Sequence, residues 1–207
     1  SMPVREAVEG PSGIDVNSLL KETGFVTVDN GFMNTASCSS TITYIDGDAG
    51  ILRYRGYPIE QLAEKASFLE VSYLLIHDAL PTPAQLAEFA DKIRVHTLLQ
   101  EEMRTFFSGF RRDAHPRAVL SSAVTALSTF YQDALDPGDP AQVESSSIRL
   151  MAKLPTIAAY AYKKSIGHPL PYPDNSLEYI PNFLRMTFGL PTVQYDVDPQ
   201  VAKILDM

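Results

Sequence analysis

Residues 41–62 read TITYIDGDAGILRYRGYPIEQL. Ile42 and Tyr44, then Ile51, Leu52 and Tyr54, form two short runs of β-branched and aromatic residues. Asp46-Gly47-Asp48-Ala49-Gly50 lies between them, where glycine accepts positive φ and aspartate closes a turn locally. This pattern predicts a β-hairpin. Gly56 then frees the backbone, and Pro58 stands in a first helical turn ahead of Ile59, Leu62 and Ala63 at helical spacing. Asp46 and Asp48 imitate the first ligands of a calcium loop, but Ile51 stands where the loop needs glycine and Tyr57 where it needs glutamate, which argues against calcium. Arg53 and Arg55 are guanidinium groups suited either to an anionic ligand or to pairing with nearby acids.

Working outward, the 207 residues are 45% hydrophobic and 20% charged, the balance of a folded chain with a sizeable core. The formal net charge is −8 and the basic residues are scattered, so neither a nucleic-acid footprint nor a polybasic membrane patch is present. No run approaches the ~20 apolar residues of a membrane helix, no secretion signal is visible, and a cytoplasmic location is expected. The single cysteine, Cys38, suits a reducing compartment and reads as structural, since no base or helix N-terminus adjoins it. Ser1 ahead of Met2 reads as a residue left in front of a natural initiator.

Upstream of the hairpin, residues 3–35 predict an extended arm with one or two strands, Phe25-Val26-Thr27-Val28 being one candidate. Downstream, helices dominate, and the expected division is an arm of residues 1–57 and a helical part of residues 58–207. A helix starting at Ile59 is followed by one carrying Leu69, Tyr73, Leu74, Ile76, His77 and Leu80, with His77 on its buried face. Thr82 N-caps the next, with Pro83 first and Leu86, Phe89, Ala90, Ile93 and Thr97 as its buried stripe. Further helices are expected over residues 99–112, 116–135, 141–166 and 177–188. The 116–135 helix has small residues on more than one side, and Pro155 should kink the 141–166 helix. Asp198 and Pro199 open a last amphipathic helix that the chain end cuts off, which reads as truncation.

The chemistry-bearing residues do not assemble into a recognisable catalytic centre. His77, His96, His115 and His168 stand in unrelated segments with no metal-ligand spacing, so no metal is expected, and His168 should be solvated. There is no phosphate loop, no G-x-S-x-G elbow and no C-x-x-C. Phe110-Arg111-Arg112-Asp113-Ala114-His115-Pro116 gathers two guanidinium groups, a carboxylate and an imidazole at a helix start, either as an anion site or as an internal ion-pair network.

Taken in order, TASCSSTITYIDGDAGILRYRGYPIEQLAEKASFLEVSYLLIHDALP, FRRDAHP, FYQDALD, RLMAKLPTIAAYAYKKSIGHP and YIPNFLRMTFG resemble the N-terminal half of bacterial, type II citrate synthase. The resemblance implies a mainly α fold: a citrate-synthase-like helical large domain preceded by a small N-terminal β-hairpin arm, truncated so that its C-terminal half and small domain are absent. It implies a parent enzyme of the tricarboxylic acid cycle that condenses acetyl-CoA with oxaloacetate to citrate and CoA. No cofactor is implied, acetyl-CoA being a substrate. It also implies a homodimer or hexamer assembled through the helices of residues 116–135 and 141–166, the alternative being that these helices pack within one chain's core. The family's catalytic histidines, aspartate and substrate arginines would lie beyond Met207, so no catalytic residue is assigned and the chain alone is expected to be inactive. In members inhibited by NADH, the matching pocket positions here are His96, Thr97, Tyr131, Arg149, Lys153 and Asn175, but Val95 replaces an arginine and Thr192 a cysteine. The alternative for Arg149 and Lys153 is the polar edge of a long helix. A noncatalytic helical interaction module, or part of a 2-methylcitrate synthase, stay open as alternative identities.

Overall fold

A computed structural model describes residues 2–207. The reading of Ser1 therefore lies outside the described residues. By their internal contacts the residues form two compact units, Ser1–Leu80 and Pro81–Met207, so the first two helices after the hairpin belong with the arm. The boundary expected from sequence pattern fell after Tyr57, ahead of those helices.

In the first unit, β1 (Val4–Arg5) pairs with β2 (Gly13–Ile14), and a short helix α1 (Leu19–Thr23) follows. Phe25 to Val28 is not a strand: no partner pairs with it, and its side chains stay in solvent, so β-propensity alone does not order it. The predicted hairpin forms from β3 (Thr43–Asp46) and β4 (Ile51–Tyr54), in register Thr43↔Tyr54 and Asp46↔Ile51. The Asp46 carboxylate accepts from the Ala49 N–H at 2.9 Å, closing the turn as the Asp-Gly pattern requires.

β5 (Tyr57–Pro58) then folds back onto β4 through Arg55 and Gly56, both at positive φ (49° and 85°), the conformation of a two-residue hairpin turn. An arginine is strained there. Its side chain explains why it stays: one Nη donates to Thr41 Oγ1 at 2.7 Å, and the other to the Leu75 carbonyl at 2.9 Å. Pro58 N-caps α2 (Ile59–Lys65), and α3 (Phe68–His77) opens on a Ser67/Glu70 capping box. His77 is exposed in the last turn of α3, not buried in a core; there an imidazole can meet the negative end of the helix dipole.

The second unit is helical. α4 (Pro83–Arg94) has the expected Thr82 cap, completed by Gln85 as a capping box, and buries Phe89 and Ile93. It ends at Arg94, so the buried Thr97 lies in the connection after it. α5 (Glu101–Ser108) and α6 (Pro116–Leu127) are both shorter than their patterns predict. After α5, the N–H groups of Gly109 and Phe110 turn to the carbonyls three residues back, and the same tightening follows α6 at Ser128, Thr129 and Phe130. The hydroxyls of Ser128 and Thr129 take the Thr125 and Ala126 carbonyls at 2.8 Å each, competing with helix continuation. α8 (Tyr179–Phe188) and α9 (Pro199–Asp206) lie within two residues of expectation.

α7 (Pro140–Ile166) runs 27 residues, capped by the Asp139 carboxylate on the Ala141 N–H at 2.9 Å and ended by Gly167. Leu99, Met103 and Phe107 from the α5 region, Val119, Ala123 and Leu127 from α6, and Ile157, Tyr160 and Ala161 from α7 form one core. Pro155 leaves the carbonyl of Met151, four residues back, without its helical N–H. The Tyr179 hydroxyl donates to that carbonyl at 2.8 Å, so α8 supplies the hydrogen bond that the proline removes. Burial pushes the Tyr179 hydroxyl up to about 12.

Tyr179→Phe should therefore cost about 1–3 kcal/mol, read as a lower urea midpoint, because the Met151 carbonyl is left unpaired. Since the folded hydroxyl holds its proton more tightly than the unfolded one, the native protein should lose stability between the ordinary tyrosine value and about pH 12. The phenylalanine variant should lack that part of the alkaline loss. An unchanged midpoint would remove the assignment.

Candidate functional site

The six positions singled out from the sequence come together in the second unit. Arg149 and Lys153, one turn apart on α7, both face the ring of Tyr131, with the Arg149 guanidinium carbon 4.6 Å and the Lys153 Nζ 5.5 Å from its centroid. Lys153, 3% exposed, donates to the carbonyls of His96 at 2.7 Å and Leu98 at 2.5 Å. Thr97 donates its hydroxyl to Asn175 Oδ1 at 2.8 Å, and its own carbonyl accepts from Thr156 Oγ1 at 3.0 Å. The Asn175 carbonyl takes a hydrogen bond from Arg94 at 3.2 Å, and His96 Nδ1 bonds the Lys92 carbonyl at 2.7 Å.

The charges in this cluster are already engaged. Arg149 binds both oxygens of Asp133 at 3.0 and 2.8 Å, a fork-to-fork pair that holds the Asp133 carboxyl below the usual carboxylate range and raises the guanidinium. Gln100 donates to the Tyr131 hydroxyl at 2.9 Å, fixing the ring from its far edge. Asp133 and Gln100 did not emerge from sequence; the acid two residues after Tyr131 in FYQDALD was the available signal for the first. Val95, exposed at the end of α4, adds no cation.

The other candidates resolve differently. Arg111 and Asp113 form a two-bond ion pair, both at 2.8 Å, which lowers the Asp113 carboxyl, and His115 Nδ1 accepts from the Arg117 N–H as the N-cap of α6. Arg112 lays its guanidinium against Gly167 at the negative end of α7. Within the FRRDAHP segment, Arg111 is thus paired with Asp113, while Arg112 reaches out of it. Arg53 pairs with Glu9, and Arg55 lies 3.3 Å from Asp78 besides its two hydrogen bonds. His168 is exposed as expected, and Cys38 is exposed as a free thiol. Among the described residues no His, Cys, Asp and Glu cluster could hold a metal ion. Nor is any helix long and apolar enough to cross a membrane.

A shallow depression of about 520 Å³ runs along α5, lined by Glu101, Glu102, Arg104, Thr105 and Ser108. Arg104 is committed beside it: it stacks on Tyr172, 4.5 Å to the centroid, and donates to the Tyr160 hydroxyl at 3.1 Å.

Residues 31–207 match the family model described as citrate synthase, C-terminal domain. The chain belongs to the citrate synthase family. It is 61% identical to citrate synthase 1 of Mycobacterium tuberculosis over its whole length, and 56% identical to citrate synthase of Corynebacterium glutamicum over 99% of it. The matches cover 48% and 47% of those proteins, so the chain spans about half the length of the curated relatives it matches. Among solved structures, citrate synthase from Pyrobaculum aerophilum superposes with a TM-score of 0.75 at 32% identity, over 86% of this chain and 45% of that one. The enzyme from Thermotoga maritima gives 0.71 at 29%, over 87% and 45%. A ternary complex of the Thermoplasma acidophilum enzyme with carboxymethyl coenzyme A and oxaloacetate shares the fold, with a TM-score of 0.77 at 20% identity, over 87% and 46%. The mainly helical fold with its N-terminal hairpin thus matches citrate synthase structures over a little under half of their length.

Lys153→Met keeps most of the side-chain volume but leaves the His96 and Leu98 carbonyls without their donor. It should lower unfolding free energy by about 2–4 kcal/mol in urea titration, the range for two buried acceptors losing partners. A loss below about 0.5 kcal/mol would mean that solvent already serves those carbonyls.

Proposed function

We propose that residues 1–207 serve as the N-terminal scaffold of an enzyme that condenses acetyl-CoA with oxaloacetate to give citrate and free CoA in the tricarboxylic acid cycle. The observation that carries this reading is the 61% identity to a citrate synthase along the whole chain, over 48% of that relative's length. The reaction needs a carboxylate to take an α-proton from the acetyl methyl group and imidazoles to stabilise the enol and polarise the ketone. The new carbon–carbon bond then forms to the oxaloacetate carbonyl carbon, and water cleaves the thioester. Arginines must also hold the oxaloacetate carboxylates in a closed, dry cleft.

The described residues support a division of labour rather than a complete site. Their arginines are largely spent on partners, as with Arg149 on Asp133 and Arg104 on Tyr160, and their histidines stand apart. We therefore read these residues as inactive on their own, with the acid–base groups supplied by the remainder of a full-length enzyme. No cofactor is needed, acetyl-CoA being a substrate. The working form is a homodimer or hexamer: α6 turns Val119, Ala123 and Leu127 inward and leaves Ser121, Ser122 and Thr125 on an open face, while Leu150 and Leu154 of α7 are partly exposed. A cytoplasmic setting fits the single cysteine.

The six-residue cluster around Tyr131 we read as architecture and not as a dinucleotide pocket. A phosphate would have to displace Asp133 from Arg149, or two carbonyls from Lys153, and Val95 offers no replacement charge.

The test is thiol release from acetyl-CoA with oxaloacetate. Residues 1–207 alone should give none above blank, whereas a full-length enzyme carrying them should turn over and be insensitive to NADH. Turnover by residues 1–207 alone would overturn the scaffold reading, NADH inhibition the architectural one, and a strong preference for propionyl-CoA the substrate assignment.

A further inference from the structure

Lys163 is 2% exposed, near the end of α7, and no carboxylate lies within ion-pair distance of it among the described residues. Its Nζ donates to the carbonyl of Gly189 at 2.6 Å. A buried ammonium held by a lone carbonyl is costly, and burial accordingly lowers the Lys163 pKa. A methionine or leucine would fill the space without that cost.

What the contact controls lies on the far side of Gly189. This residue ends α8, its N–H closing on the Arg185 carbonyl at 2.8 Å, and its backbone then turns extended (φ −61°, ψ 151°). No larger residue fits, because a Cβ there would sit 2.5 Å from the Arg185 oxygen and 3.3 Å from Tyr195 Cβ. Residues 190–198 form an irregular strap with a single bridge, Leu190↔Val193, leading to α9. α9 packs against α8, yet none of its residues is buried, and Ile204 is 70% exposed.

We propose that Lys163 is the latch of a hinge at Gly189: its ammonium pins the one carbonyl from which the strap departs, and so sets the direction of the strap and of α9. Pinning at the C-terminal end of α8 also places the cation where the helix dipole is negative. The device is independent of which acyl-CoA the family member uses.

Peptide-resolved hydrogen exchange on the protein tests it with Lys163→Met, Lys163→Gln and Lys163→Arg. The methionine variant should speed exchange of residues 190–206 by about tenfold or more while α6 and the first half of α7 keep their wild-type protection, since local opening reports separately from global unfolding. Arginine should restore wild-type exchange, and glutamine, a donor without charge, should restore part of it. If methionine does not fold, the glutamine variant is read alone, and faster exchange confined to residues 190–206 is the supporting result. Unchanged exchange over 190–206, or an equal rise in α6 and α9, would overturn the latch.

Discussion

The second unit depends on how α7 manages polar groups that it buries. A 27-residue helix surrounded by α4, α5, α6 and α8 would ordinarily show them an apolar surface, yet Lys153, Thr156 and Lys163 are all within a few per cent of complete burial. Each donates to backbone that its own element has left unpaired. Lys153 and Thr156 take the carbonyls of His96, Thr97 and Leu98 just after α4, and Lys163 takes that of Gly189 at the end of α8. Tyr179 works in the opposite direction, reaching from α8 to the Met151 carbonyl that Pro155 vacates. Buried backbone groups must be paired somewhere, and here α7 pairs those of two neighbouring segments while α8 pairs one of α7's own.

This arrangement brings the positions matched to a nucleotide pocket together while engaging their charged groups. Tyr131, Arg149 and Lys153 form a stack of two cations on one ring, but Asp133 neutralises one cation and two carbonyls hold the other. The same geometry that gathers the residues also consumes their valences. Sequence spacing can place Arg149 and Lys153 on one helical face; it cannot show that their polar atoms are already occupied.

Much of the fold was legible for local reasons. The Asp-Gly turn with its flanking β-branched and aromatic residues marked β3 and β4, the Thr82-Pro83 pair marked the start of α4, and Asp198-Pro199 that of α9. Helix ends were less legible. α5 and α6 stop early because their last N–H groups tighten onto nearer carbonyls, aided after α6 by serine and threonine hydroxyls that period-3.6 patterning ignores. His77 and the strand expected at Phe25 failed because helical position and strand propensity do not by themselves supply a burial partner. Arg55 shows a third limit, since the turn sets its positive φ and the side-chain bonds that keep an arginine there reach Thr41 and Leu75, far apart in the chain.

The central claim, that α7 holds its neighbours through their unpaired backbone carbonyls, is tested most directly by a double-mutant cycle of Lys153→Met and Thr156→Val in urea unfolding. Lys153 takes the first and third, and Thr156 the second, of the three consecutive carbonyls of residues 96–98, so the account predicts a coupling of at least about 0.5 kcal/mol. Strictly additive losses would show two independent contacts and contradict it.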